Sequence, residues 1–525
     1  MKNNLLGISL ITISCLYGLL AAVIILVFIL TDLPVLWGIV ASIIILILQF
    51  LISPILTDLS MKWFYKAKFD YQPPEYLDKF IKEICNKYNM KYPHLAFIDD
   101  GAPNAFTYGR TKNDARVVIT RGILDLLNEE EVKAVVGHEL GHATHYDMFF
   151  MTVAQLVPLV LYAIYEMFVD SKSNSDNDNG NLQLIGMIAY VLYIISQYIV
   201  LWLSRTREYY ADSFAIEETK NPNALAEALV KIGYGLSTSK DNNNKLVSKS
   251  NALGIFDSNT SKSLVVSSYD DGEVSKDNIK QAMKWEMWNV WAIYYEIKST
   301  HPLISKRLQA ISKRCSEFNQ DPYIKFDLQK EESYIDDFLI EILIDSLPML
   351  TVLLTLIFIY VFNDYAINII RFGSVLAVLF SFIKFFRRYK NTTYKETTVQ
   401  ELLGEVKVSN ITSIPCTLSG QIIGRGNPGY IFNEDFILKD DTGIIFLDYN
   451  QPLFIVNKIF ALFKSGEYID KNIKIKGWYR RSPVPYVEIY TMEIDGKVKK
   501  VYTYGLSLTF RIILLLLSIA TFIFI

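Results

Sequence analysis

The chain has 525 residues, 51% of them hydrophobic, and its 52 basic and 55 acidic side chains leave a formal charge of −3. So even a balance argues against a whole-chain nucleic-acid binder, and a mean hydropathy of +0.22 excludes an ordinary soluble enzyme. Four cysteines (Cys15, Cys85, Cys315, Cys416) lack CxxC spacing and indicate neither a disulfide framework nor a thiolate metal site.

Several apolar stretches reach the roughly 20 helical residues a bilayer requires. Leu5–Leu30 carries no charge, exceeds a signal-peptide core and has no evident cleavage pattern, so it reads as a retained anchor. Val35–Leu56 follows after the tight Thr31-Asp32-Leu33-Pro34 connection. Met148–Val169 with Leu182–Leu203, and Phe338–Phe362 with Ile367–Phe386, form two further hairpins. The last segment, Leu506–Ile525, is interrupted by Arg511 and reads as either a short span or a re-entrant piece. Basic residues (Lys62, Lys66, Lys68; Arg205, Arg207; Lys384, Arg387, Arg388) follow every second span, whereas the opposite loops hold Asp32, Asp170, Asp176 and Asp364. By the positive-inside rule, the N-terminus and the large polar segments face the cytoplasm of a multi-pass cell-membrane protein.

Between the second and third spans lies His138-Glu139-Leu140-Gly141-His142, in a chain with only five histidines. On a helix, residues four apart share a face, so His138 and His142 can hold one zinc ion while Glu139 points at its open position. The bland alternative is a buried helix with two satisfied histidines. Asn128 and Glu131 read as an N-cap and its capping-box partner, with Val132, Val135, Val136 and Leu140 forming the apolar stripe. Gly141 costs about 1 kcal/mol of helix propensity, which implies the close approach of another backbone.

A catalytic zinc takes three protein ligands. His145 lies about 10 Å along the axis from His138, too far to share an ion with it. Glu208 fits better, because the HExxH helix enters the membrane about 9 Å beyond His142 and the fourth span leaves it about 8 Å before Glu208. Asp212, one turn later, is expected to accept the free ring N–H of a ligating histidine. Asp147 either helps in the same way or caps the membrane boundary.

Four stretches, in order, carry a family resemblance: Pro103-Asn104-Ala105-Phe106, the HELGH run ending in Asp147, Arg205-Thr206-Arg207-Glu208-Tyr209-Tyr210-Ala211-Asp212, and Ser299-Thr300-His301-Pro302-Leu303 with Arg307. Together they resemble the HtpX-like membrane zinc metallopeptidases, kin of the CAAX prenyl endopeptidase, over about residues 1–316. The resemblance implies one zinc per subunit, held by His138, His142 and Glu208, with Glu139 as base. It also implies Asn104 on a substrate-aligning edge strand, His301 stabilising the tetrahedral intermediate, and Arg307 supporting the site by pairing with an acid. The polar insertion Ser237–Asn278 is longer than a minimal member would have.

After the third hairpin the pattern becomes strand-like. Asp435–Leu438 and Ile444–Leu447 flank a turn at Asp441-Thr442-Gly443, Ile473 and Ile475 alternate with lysines, and a turn is expected at Arg481-Ser482-Pro483 before Val487–Tyr490. A small OB-like barrel is expected, used for protein interaction or substrate handling.

The expected fold class is a multi-span α-helical membrane protein with a mainly α zincin-type metalloprotease domain and a small all-β C-terminal domain. Its expected boundaries are a transmembrane hairpin at 1–60, protease segments at 61–147 and 205–335 around spans at 148–204, a hairpin at 336–390, the β-rich domain at 391–505 and a last segment at 506–525. The expected function is zinc-dependent endopeptidase action at the cytoplasmic face on membrane-associated or misfolded membrane proteins. The partners would be polypeptide substrates and the lipid bilayer, without nucleic acid, and oligomerisation stays open. The alternative is an inactive zinc-containing scaffold that recruits partners through its C-terminal domain.

Overall fold

The computed structural model describes the chain apart from residues 1, 32–34, 65, 100–103, 170–178, 239–268, 271–272, 275, 327–329, 331, 391–392, 426–434, 454–456, 458–459, 461–464, 469–470, 483 and 525. Two compact units emerge: Met1–Leu236 with Asn243–Ser258 and Glu296–Lys325, and Ser237–Asn242 with Asn259–Tyr295 and Phe326–Ile525.

In the first unit α1 (Lys2–Thr31) and α2 (Val35–Phe64) are followed by α3 (Glu75–Lys87). A small sheet comes next, built from β1 (His94–Ile98), β2 (Ala105–Gly109) and β3 (Ala115–Thr120). Its order is β1-β3-β2, with β1 parallel and β2 antiparallel to β3, so β2 lies at an edge. The remaining helices are α4 (Arg121–Leu126), α5 (Glu129–Thr144), α6 (Asp147–Val169), α7 (Asn179–Thr219) and α8 (Pro222–Thr238), then the helix Ile304–Arg314.

Helix α7 runs unbroken for 41 residues, because no proline interrupts it as its sequence turns from apolar to polar near Ser204. It ends where Lys220 adopts a left-handed φ of 55° just before Pro222. Its length of about 60 Å exceeds the roughly 30 Å hydrocarbon core, so the helix that crosses the bilayer continues rigidly into the polar region. Leu16, Leu20 and Val23 of α1 pack with Val157 and Leu161 of α6 and Leu203 of α7, gathering the spans around α7.

In the second unit the helices Ile335–Val361, Ala366–Arg388 and Thr503–Phe524 accompany a β-rich domain. A two-stranded hairpin, β4 (Tyr269–Asp270) with β5 (Glu273–Val274), precedes it in sequence, as does the helix Lys276–Trp288, whose start falls inside the polar insertion. Most of that insertion, like Pro103 and the Asp32–Pro34 connection, lies outside the described residues. The domain comprises β6 (Lys395–Glu396), β7 (Ile414–Arg425), β8 (Phe436–Asp440), β9 (Gly443–Asp448), β10 (Asn472–Ser482), β11 (Val484–Ile494) and β12 (Lys497–Lys500). Strands β7, β8 and β9 form an antiparallel meander, β9 pairs in parallel with β11, and β10 joins β11 back to β7. The pairing therefore closes a five-stranded barrel, which removes the exposed edges of an open sheet. Gly477 sits at the register shift of β10, where a Cβ would lie 2.3 Å from the Glu488 carbonyl.

The hairpin at Asp441-Thr442 forms as the alternation predicts, with Asp440 Oδ1 accepting from the backbone of Thr442 and Gly443. The expected Arg481-Ser482-Pro483 turn falls where β10 and β11 reverse, Ser482 pairing with Val484 across Pro483, which itself lies outside the described residues. Strand β10 runs through Ser482, and Arg481 is buried with its guanidinium 4.7 Å from the Trp285 ring. The last segment, expected as a short span or a re-entrant piece, is one continuous helix, long and apolar enough to cross a membrane. Arg511 is accommodated because it donates to the carbonyls of Ser381 and Ser507 and lies over the Phe385 ring.

Among the described residues, six helices are long and apolar enough to cross a membrane: Leu5–Val27, Asp147–Phe168, Gln183–Thr219, Ile335–Val361, Asn363–Arg388 and Thr503–Phe522. The second expected span is also helical, within α2, although many of the side chains in its first half lie outside the described residues.

Candidate metal centre

Helix α5 starts where the sequence says it should. The Asn128 side chain accepts from the Glu131 N–H and the Glu131 carboxylate accepts from the Asn128 N–H, which completes the capping box. His138, Glu139 and Leu140 are all buried, so this helix turn is packed on every side. The packing partner is α7. A Cβ on Gly141 would lie 3.1 Å from the Ala211 Cα and 3.2 Å from the Phe214 Cβ, the close backbone approach that its poor propensity implied.

That approach brings Glu208 to the histidines. Its carboxylate oxygens lie 3.5 Å from Nε2 of His138 and 3.5 Å from Nε2 of His142. The two Nε2 atoms are 3.2 Å apart, with ring planes at 89°. All three ligand atoms fall within 4.8 Å of one another, the only such metal-competent group among the described residues. Glu208 is buried, and its Oε2 accepts no hydrogen bond among the described residues. A buried carboxylate whose two oxygens each face the Nε2 of a different imidazole matches the donor set of a divalent cation. The His2Glu composition fits zinc.

Around these three groups lies a layer of charges. Asp212 Oδ1 is 2.9 Å from His138 Nδ1, and Arg307 grips the same carboxylate with Nε at 2.9 Å and Nη2 at 2.5 Å. Arg307 Nη1 also lies 3.4 Å from Glu208. Burial by itself would depress the His138 pKa, but the carboxylates of Asp212 and Glu208 outweigh it and raise the pKa above the ordinary value. The same balance holds Arg307 above its usual range, with burial opposed by Asp212. On the other imidazole, Asp147 Oδ2 lies 2.7 Å from His142 Nδ1.

His301 places Nδ1 3.1 Å from Glu208 Oε2, while its Nε2 is buried without a hydrogen-bond partner among the described residues. Asn104 sits immediately before edge strand β2, its backbone exchanging hydrogen bonds with Thr120. The strand residues that line the site are Thr107, Tyr108 and Gly109, and Thr107 Oγ1 donates to the Glu139 carbonyl. A cavity of about 290 Å³ is bounded by these residues with Glu139, His142, Glu208 and His301, and by Met151, Thr152 and Gln155 of α6.

The structure therefore brings together His138, Glu139, His142, Glu208, Asp212, His301 and Arg307, and keeps Asn104 at the start of the neighbouring strand. His145 lies apart, edge-on to Phe214 and Tyr210. Sequence reasoning left Asp147 open and gave Arg207 no place at the site. The available signal was an arginine directly before the expected third ligand, on a helix emerging from the bilayer.

The model of peptidase family M48 matches residues 72–315. A protease HtpX homologue of Methanothermobacter thermautotrophicus is 42% identical over 190 residues, covering 36% of this chain and 70% of that protein. This chain belongs to peptidase family M48. A second relative, the protease HtpX homologue of Picrophilus torridus, is 28% identical over 273 residues, covering 52% of this chain and 82% of its own. The crystal structure of S. mikatae Ste24p is also similar, at 19% identity and a TM-score of 0.34, covering 58% of this chain and 64% of that one. Family membership makes the chain a metalloprotease-type membrane protein, and the cluster of His138, His142 and Glu208 is its possible metal site.

Proposed function

We propose that this M48 peptidase is a zinc-dependent integral-membrane endopeptidase. The observation that carries the reading is the convergence of His138, His142 and Glu208, with Glu139 on the wall of the adjoining cavity. His138, His142 and Glu208 would hold the ion, one per subunit. A zinc ion bound there supplies Lewis-acid polarisation of the scissile carbonyl and lowers the pKa of an attacking water. Glu139 takes the proton from that water and passes it to the leaving amine. His301, which lines the cavity, donates to the developing oxyanion. Asp212 and Asp147 orient the two imidazoles, and Arg307 holds Asp212 in place. An extended substrate pairs with edge strand β2, to which Asn104 leads, by strand addition.

The site serves membrane-associated and misfolded membrane polypeptides at the cytoplasmic side of the cell membrane. The basic residues after every second span support that orientation, and cavity walls drawn from α6 support substrates in or near the bilayer. The protease parts occupy 61–147 and 205–335, between spans at 1–60, 148–204 and 336–390, with a cytoplasmic domain at 391–505 and a last span. For the C-terminal barrel we propose an OB-like domain that handles substrates or partners. Its ring of five strands, with one parallel pairing between β9 and β11, is the supporting feature.

The test is cleavage of membrane proteins by purified full-length enzyme against Glu139→Gln. Loss of cleavage with zinc retained is expected. Unchanged cleavage by Glu139→Gln would remove the activity from this site.

A further inference from the structure

Outside the groups already given roles, a chain of buried polar contacts runs from the second imidazole into the first transmembrane helix. Asp147, in the first turn of α6, faces His142 Nδ1 at 2.7 Å with one oxygen. Its other oxygen is paired with Nη1 of Arg207. Nη2 of Arg207 donates to Oγ of Ser9 in α1 at 2.5 Å, and Ser9 donates its own proton to the Leu5 carbonyl at 2.8 Å. All of the linking side chains are buried: Ser9 is 0% exposed, Arg207 1% and Asp147 4%. Arg207 also lies with its guanidinium carbon 4.7 Å from the Phe150 ring centroid, which fixes the plane of its fork.

Each member leaves its neighbour a single arrangement. The Ser9 hydroxyl has spent its proton on Leu5, so toward Arg207 it can only accept. Arg207 has only donors, so both contacts run from it. Asp147, neutralised on one oxygen, is left to accept from His142 Nδ1, and Nε2 then carries the lone pair. Arg207 directly precedes Glu208, so the turn of α7 that delivers the third ligand also clamps the acid behind the second.

We propose that Ser9, Arg207 and Asp147 form a positioning relay that makes the metal affinity of His142 depend on the docking of α1 against α6 and α7. The relay rests on the zinc reading above. In it the N-terminal span is a functional part of the centre as well as an anchor, and Arg207 and Ser9 act through Asp147 without touching substrate.

The experiment uses the full-length protein in nanodiscs. It measures zinc dissociation against a chromophoric chelator and the visible spectrum of the cobalt-loaded form. Asp147→Asn and Arg207→Met should weaken zinc retention about tenfold or more and shift the cobalt bands, while Arg207→Lys recovers part of the loss. Ser9→Ala should weaken retention about two- to fivefold, and that effect should vanish in the Arg207→Met or Asp147→Asn background, because coupled residues are not additive. If Arg207→Met fails to fold, the cycle of Ser9→Ala with Asp147→Asn gives the same reading. Wild-type retention and spectra in the single variants, or a Ser9→Ala effect of equal size in every background, would overturn the relay while leaving the zinc assignment intact. A wild type that holds no zinc would overturn both.

Discussion

Gly141 of α5 faces Ala211 of α7 so closely that a Cβ on the glycine would lie 3.1 Å from the Ala211 Cα. This contact sets the spacing of the two helices that supply the three candidate ligands. Alanine there must trade about 1 kcal/mol of helix propensity against the crowding of Ala211 and Phe214. A branched side chain has no such compensation, so Gly141→Val should push α7 away from the histidines. Helical content by circular dichroism should stay near that of the wild type, while zinc content and cleavage fall together. Full zinc content in Gly141→Val would show that the spacing is set elsewhere.

The Asp212–Arg307 pair is buried, and each partner is costly without the other. Arg307→Ala leaves an uncompensated carboxylate and should cost about 3–5 kcal/mol, read as a lower unfolding temperature in detergent. Arg307→Lys should not restore stability, because the forked contact to both Asp212 oxygens needs a planar guanidinium. Equal stability of the lysine variant and the wild type would contradict the bidentate assignment.

His301 is expected to act on the developing charge rather than to hold the ion. His301→Ala should therefore keep its zinc and lose about 10²–10³-fold in kcat. Loss of the metal with the side chain would instead make it a structural partner of Glu208.

In the barrel, burial pushes the Asp448 carboxyl up to about 8, with Asp435 and Glu488 adding to the rise and Arg388 and Arg480 opposing it. The native state thus holds a proton that an unfolded chain releases near pH 4. Between about pH 4 and pH 8 the native state binds more protons than the unfolded one, so stability falls as pH rises through that window. Asp448→Asn should flatten the decline and leave the variant more stable than wild type near pH 8, measured by thermal unfolding across pH. A parallel decline in both proteins would place the dependence on another group.

Much of this was legible in the sequence, because the determining signals are local. The HExxH spacing, the Asn128–Glu131 cap and the period of the spans each depend on a few neighbouring residues, and each appears as a helix where expected. Glu208 could be found because the expected spans lie at similar distances along the chain from it and from His142, although α5 stops at Thr144 and the apolar helix α6 starts separately at Asp147. Arg207 could not, since its partners Asp147 and Ser9 lie 60 and 198 residues away and no local pattern reports them. The burial of Arg481 escaped for a similar reason. The Arg-Ser-Pro run does mark the reversal between β10 and β11, but the ring that covers Arg481 comes from Trp285, far off in sequence.

The central claim is that His138, His142 and Glu208 hold one ion together, and zinc K-edge absorption on the purified full-length protein tests it most directly. The account predicts one zinc per chain with a first shell of two imidazole nitrogens and carboxylate oxygen, losing the oxygen contribution and most of the metal in Glu208→Ala. A spectrum unchanged in Glu208→Ala, or a first shell containing sulfur, would contradict it.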